Sequence, residues 1–188
     1  MAEGWEDGWR TFHHGVRVGR LWVGPPWEQA PDDALPVVVD PGRAFGTGAH
    51  PTTRLCLEAL LELDRGSLLD VGCGSGVLSI AAALLGFDPV TGIDTDHAAV
   101  EATEANAAAN GVRVDARAAD ATSAPLPLAD VTVANISLEA VNALRPESPV
   151  VVTSGYLVSE QPSLAGYAAV SRVQSDGWAA DVHRRNGS

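Results

Sequence analysis

The sequence predicts an α/β fold, a mostly parallel, doubly wound sheet with an antiparallel hairpin at its C-terminal end. Three observations carry this. The apolar run Leu68-Leu69-Asp70-Val71 leads through Gly72-Cys73-Gly74-Ser75-Gly76 into the apolar stretch Val77–Leu84, the pattern of a buried strand, a tight loop and a helix packed on a sheet. Strand-like and helix-like segments then alternate at intervals that give parallel strands with crossover helices. The glycine loop lies at the carboxyl end of its strand, the edge where such sheets bind ligands.

The elements follow in order. Residues 1–36 hold four of the five tryptophans (Trp5, Trp9, Trp22, Trp27), the pair His13-His14 and four prolines. Val16–Val23 alternates well enough for a short strand. The adjacent histidines point in different directions on a strand and lack a third ligand nearby, so they do not read as a metal site. This segment reads as a lead-in packed on a single main domain over 37–185. Leu35–Asp40 is a strand candidate ending at Pro41-Gly42, and Arg43–Thr53 is a second glycine-rich stretch. His50-Pro51 bars a helix interior there, which puts Pro51 or Thr52 in the first turn of a helix. Leu55, Leu57, Leu60, Leu61 and Leu63 supply its apolar face, up to a turn at Asp64-Arg65-Gly66. On residues alone the 43–53 stretch is either a connector or a lid over the glycine loop.

Further on, strand 68–71 leads into helix 75–85, and strand 90–94 into an alanine-rich helix 97–109 ended by Asn110-Gly111. Strand 112–116 precedes a connection broken by Pro125 and Pro127. Strand 129–135 then leads to a short helix near 138–144, and strand 149–154 to a helix near 160–170. A hairpin over 171–175 and 179–184 closes the sheet.

Composition bounds the function. The chain has 188 residues, 46% of them hydrophobic, and a mean hydropathy of +0.06, which fits one globular domain. No apolar run reaches the roughly 20 residues that span a bilayer, and the first residues lack the basic start and apolar centre of a secretion signal. A cytoplasmic protein with no membrane partner is expected. Cys56 and Cys73 make neither a disulfide framework nor a zinc site; Cys56 reads as core, and Cys73 as a small side chain in the loop. The net charge is −12, and all 12 basic residues are arginine. No basic patch for nucleic acid is visible, whereas an acidic surface suits a basic protein partner. The absence of lysine excludes Schiff-base and Walker-type chemistry.

The glycine loop narrows the cofactor. The helix after it aims free N–H groups at whatever binds there. A dinucleotide fingerprint needs a third glycine where this chain has Val77. Asp70 at the end of the strand would also repel a pyrophosphate. S-adenosylmethionine has no phosphate and carries a sulfonium and an ammonium, so an acid followed by G-x-G-x-G suits it. Asp94, 22 positions after Gly72, is placed to accept ribose hydroxyls, a distance shared with nicotinamide enzymes. Asp120 after the third strand reads either as an acceptor for the adenine amino group or as a solvated loop acid.

Asn135 ends the fourth strand in Val133-Ala134-Asn135-Ile136-Ser137. A methyl-accepting amine must present a lone pair, and neutralising a lysine at pH 7 costs about 4.6 kcal/mol. A carboxylate contact raises that cost; a neutral amide oxygen holds the amine without doing so. Asn135 thus reads as an orienting group, or as the cap of the following helix.

The stretches Asp40–Thr53, Asp70-Val71-Gly72-Cys73-Gly74-Ser75-Gly76 and Ala134-Asn135-Ile136 together resemble the bacterial ribosomal protein L11 methyltransferase family, from the tryptophan lead-in to about Arg185. The first of these motifs is long and specific, while the glycine loop is generic to methyltransferases. The resemblance implies a Rossmann-like class I fold and S-adenosylmethionine-dependent methylation of lysine or N-terminal amines. Cofactor contacts are then expected at Phe45, Thr47, Thr53, Asp70, Gly72, Gly74, Asp94 and Asn135, with Asn135 also catalytic and the Phe45 loop closing over the site as a lid. Two departures from the family stand out. Set against that family, the chain is expected to comprise linker and catalytic domain without the additional N-terminal recognition domain, and Ser137 stands where the family usually has leucine. The alternatives are a methyltransferase of the same fold acting on another protein lysine or a small amine, and a cofactor-binding module without catalysis.

Overall fold

The strand Leu68–Val71 is buried along its whole length and lies in the interior of a seven-stranded sheet. The computed structural model describes residues 14–40, 48–123 and 125–187. In chain order the elements are β1 (Val16–Val18), β2 (Leu21–Gly24), β3 (Leu35–Val38), α1 (Pro51–Glu62), β4 (Leu68–Val71), α2 (Val77–Leu85), β5 (Val90–Asp94), α3 (His97–Ala109), β6 (Asp115–Ala118), β7 (Val131–Asn135), α4 (Leu138–Ala143), β8 (Val150–Leu157), β9 (Tyr167–Ser175) and β10 (Trp178–Arg185).

The large sheet has the order β6-β5-β4-β7-β8-β10-β9. Its first five strands are parallel, and β10 runs antiparallel to both β8 and β9. The chain winds outward from β4 to β5 and β6, then returns to the other side through β7. The gap between the carboxyl ends of β4 and β7 is therefore the topological switch point, where open α/β sheets bind ligands. Strand parity divides the core. Leu68, Val133 and Val152 face α1, α2 and the small sheet β1-β2-β3, while Leu69, Val71, Ala134, Val151 and Tyr156 face α4 on the other side. Val18, Leu21 and Val23 of β1 and β2 share one core cluster with Val37 of β3 and the residues of α1 and α2, and the expected 36/37 boundary falls inside β3.

Two asparagines one turn apart on α3 join these layers. Asn110 pairs its carboxamide with both backbone groups of Val38, at 2.8 and 2.6 Å. Asn106, which is buried, accepts from the Asp40 amide at 3.1 Å and donates to the Ser75 carbonyl at 2.9 Å. One side chain thus ties the glycine loop to Asp40, just after β3.

Several elements differ from the sequence expectation. No helix forms near 160–170: Pro162 and Gly166 interrupt it, and the chain enters β9 at Tyr167. The hairpin is accordingly longer, 167–175 with 178–185. The third parallel strand starts at Asp115 rather than 112 because the Gly111 and Val112 amides bond back to Ala108 and Ala107 and finish α3. The single strand expected over 16–23 is a hairpin that turns at Gly19-Arg20. Among the described residues, no helix is long and apolar enough to cross a membrane.

Candidate functional site

A cavity of about 370 Å³ opens at the switch point. Thr53, Gly72, Gly74, Asp94 and Asn135, the described site residues expected from sequence, line it together with Cys73 and Asp120. Phe45 and Thr47 lie outside the described residues. Asp70 does not line it.

The loop after β4 is shaped by its neighbours. Gly72 has φ +74°, and a Cβ there would sit 2.5 Å from Ile136 Cγ2, so a side chain would collide with the wall that β7 delivers. The amides of Gly72 and Cys73 both bond to the Ile93 carbonyl, and Thr103 Oγ1 donates to the Gly74 carbonyl and the Cys73 sulfur. Burial pushes the Cys73 thiol up to about 12, so it stays protonated and is not a nucleophile. Burial also raises Cys56, which lies in the core.

Asp94, at the end of β5, uses its two oxygens separately. Oδ2 accepts the Gly74 amide and Oδ1 the Asp96 amide, both at 3.0 Å. Each oxygen keeps acceptor capacity for a further donor. Asp120 sits at the cavity edge in a turn of its own making. Its oxygens accept from Ser123 Oγ and from the Thr122 hydroxyl and amide, and these bonds, the Ser123 one first, hold it at about 2.

Thr53 and Asn135, 82 positions apart, meet across the cavity, with Asn135 Nδ2 donating to Thr53 Oγ1 at 3.4 Å. Thr53 is placed by the first turn of α1, which His50 caps through its ring nitrogen. The His50 ring packs edge-on against Trp178, with centroids 4.8 Å apart, and Arg54 pairs with Asp176 at 2.8 Å. The tip of the β9–β10 hairpin therefore braces the helix that carries Thr53. Ser137 caps α4 by accepting from the Ala140 amide, so Asn135 is free of the capping role that sequence alone left open.

Asp70 is enclosed behind the loop, 1% exposed. Its Oδ2 accepts from Ser79 Oγ at 2.6 Å and Ser79 N at 3.1 Å, and its Oδ1 has no partner. Burial raises this acid to about 6, against the two Ser79 bonds. At neutral pH it is ionised and places a negative charge one layer below the cavity. Its position at the end of the strand gave the expectation of a contact with a bound group; strand parity turns the side chain toward α2, where it meets Ser79, and it does not line the cavity.

Sequence reasoning did not single out the apolar wall of Ile93, Ala140 and Leu144, nor Thr95 and Thr122. Thr95 is legible as the residue after the strand-end acid, and Ala140 and Leu144 as an i, i+4 pair on the helix following Asn135.

The family model for ribosomal protein L11 methyltransferase (PrmA) matches residues 1–179. The chain belongs to this family. It is 42% identical over 172 residues to the ribosomal protein L11 methyltransferase of Shewanella sediminis, and 45% identical over 178 residues to that of Shewanella pealeana. Both alignments cover 89% of this chain and 55% of the relative, so the chain spans about half the length of the curated relatives it matches. The crystal structure of ribosomal protein L11 methylase from Lactobacillus delbrueckii subsp. bulgaricus superposes with a TM-score of 0.80 at 26% identity, covering 92% of this chain and 98% of that one. A Pyrococcus abyssi tRNA (uracil-54, C5)-methyltransferase, solved with S-adenosyl-L-homocysteine, shares the fold with a TM-score of 0.58 at 16% identity, covering 92% of this chain and 44% of that one. The architecture is the Rossmann-like class I methyltransferase fold.

Proposed function

We propose that this chain is an S-adenosylmethionine-dependent protein N-methyltransferase. Its acceptors are lysine side-chain or N-terminal amines of a basic ribosomal protein of the L11 type, in the cytoplasm. Residues 37–185 form its catalytic domain and residues 1–36 a lead-in. The observation that carries the reading is the convergence of Thr53, the glycine loop, Asp94 and Asn135 on one cavity in a chain of this family.

The residues present fit the cofactor. The cavity volume of about 370 Å³ is that of a small-molecule site. Its described lining includes the acids Asp94 and Asp120 and no arginine, which suits a cation without phosphate. Asp94 would take the ribose hydroxyls, Gly72 and Gly74 would leave the backbone open to the methionine portion, and Ile93 would pack on the adenine. The charge on Asp70 would act through the field across the loop rather than by contact.

When bound, S-adenosylmethionine supplies an electrophilic methyl group on a sulfonium sulfur. The chain's own part is positioning. Thr53 engages the amide nitrogen of Asn135, which leaves the carboxamide oxygen to accept an N–H from the acceptor amine. Because that oxygen is neutral, it orients the amine without favouring the ammonium form.

The test is calorimetric titration with S-adenosylmethionine, followed by transfer of labelled methyl to recombinant ribosomal protein L11. Binding and transfer are expected, and Asn135→Ala should lower kcat by roughly a hundredfold with a smaller loss of cofactor affinity. A folded protein that binds no cofactor sinks the proposal, and label that appears only on other proteins of a lysate reassigns the acceptor.

A further inference from the structure

A second polar cluster lies on the acceptor side of the sheet, outside the cavity. Tyr156, Asp181, His183 and Thr153 are each 2% exposed or less, among the aliphatic residues of β8 and β10. Their donors and acceptors fix a direction. The Tyr156 hydroxyl lies 2.8 Å from Asp181 Oδ2 and 3.0 Å from the Thr153 carbonyl. Its single proton goes to the nearer acceptor, the carboxylate, so it accepts at 2.7 Å from Thr153 Oγ1, which in turn accepts at 2.9 Å from His183 Nε2. Burial lowers His183, so it takes part as the neutral ring. Arg172 of β9 completes the chain with Nη1 on Asp181 Oδ2 at 3.1 Å. Its Nη2 donates to the carbonyls of Val158 and Glu160, just after β8. Three strands and a loop are thus locked to one tyrosine hydroxyl.

That tyrosine adjoins the residue that shapes the site wall. Opposite β10, Ala179 pairs with Tyr156 and Ala180 with Ser154, which leaves Gly155 unmatched. Gly155 is a β-bulge with φ +103°, a device that re-aims a strand. A Cβ there would sit 2.1 Å from the Ile136 carbonyl oxygen, and the Ile136 amide bonds to the Ser154 carbonyl at 3.1 Å. Ile136 in turn packs on Gly72 and follows Asn135 directly. On one flank of the bulge Ser154 Oγ holds the Ala179 carbonyl; on the other flank stands Tyr156.

We propose that Tyr156, held by Asp181 and Arg172, is a positioning residue for methyl transfer: it pins the Gly155 bulge against Ile136 and so sets where Asn135 meets the acceptor. This rests on the function proposed above. It acts on the acceptor geometry more than on cofactor binding, because the hydrogen bonds that hold Asp94 and the glycine loop come from β5 and α3 and Ile136 meets that loop only by packing on Gly72. A cluster that merely supported the fold would lower stability without separating these two properties.

The experiment compares wild type, Tyr156→Phe, Asp181→Asn and Tyr167→Phe. Each is assayed for cofactor Kd by calorimetry, for thermal unfolding, and for kcat and KM with recombinant ribosomal protein L11. Tyr167 is the control: its hydroxyl bonds to the carbonyls of Ser148 and Pro146, at the far end of β8 from the bulge. Tyr156→Phe and Asp181→Asn are expected to lower kcat by roughly ten- to a hundredfold with cofactor Kd within twofold, whereas Tyr167→Phe keeps wild-type kcat at a comparable loss of thermal stability. Wild-type kcat in folded Tyr156→Phe, or an equal fall in Tyr167→Phe, overturns the positioning role while leaving the methyltransferase reading intact. Failure of the wild-type chain to bind cofactor overturns that reading, and this inference with it.

Discussion

Asp70→Asn isolates the cost of a buried charge next to the site. Asp70 is enclosed, bonds only through Oδ2, and lies at about 6 in the folded chain against an ordinary 3.8. The folded state therefore holds this proton more tightly than the unfolded one. The contribution is most favourable below pH 4, is lost as pH rises from about 4 to 6, and is constant above that. The full gap corresponds to about 3 kcal/mol at neutral pH. Between pH 4 and pH 8, where part of it is already lost at the lower end, about 2–3 kcal/mol remains to be seen. In Asp70→Asn the amide oxygen takes both Ser79 bonds and the amide nitrogen takes the partnerless position, an offset that does not depend on pH. Urea unfolding of both proteins from pH 4 to pH 8 gives the difference directly, since every other titrating group is common to them. The variant's stability relative to wild type should climb by that amount over the range and then level off. A flat difference, or a climb toward low pH, would refute the burial argument.

The remaining expectations concern the loop and its supports. Asp94→Ala should weaken S-adenosylmethionine binding by roughly 2–3 kcal/mol, read by calorimetry against a circular dichroism check of the fold. Gly155→Ala forces a Cβ to within 2.1 Å of a backbone oxygen at positive φ and should cost roughly 2–4 kcal/mol in chemical denaturation. Asn106→Ala removes the side-chain bonds to the Ser75 carbonyl and the Asp40 amide; it should cost about 1–3 kcal/mol and speed amide exchange in the glycine loop.

Legibility in the sequence followed the range of the forces. The β4–loop–α2 unit was readable because every determinant is local: an apolar strand, glycines at the turn, then an apolar helix. The same holds for the helix start at Pro51 and for the placement of Asp94 as the last residue of a strand. The segment from 160 to 175 was not readable. Its alanines and leucine permit a helix, and only pairing with β10 along its whole length makes 167–175 a strand, a tertiary override of local propensity. Asp70 was readable as an acid at a strand end but not as one turned away from the ligand, since that depends on which face of β4 packs on α2.

By itself, then, the amino-acid order determined the α/β class, the site of the glycine loop and the acid that ends the next strand, all consequences of residues adjacent along the chain. Only the tertiary structure decided that Thr53 meets Asn135 and that Asp120 is held by its own turn. It also decided that a buried tyrosine flanks the Gly155 bulge that packs on Ile136. The first and last of these join residues brought together by sheet order, and sheet order is set by burial summed over the whole domain rather than by any one segment.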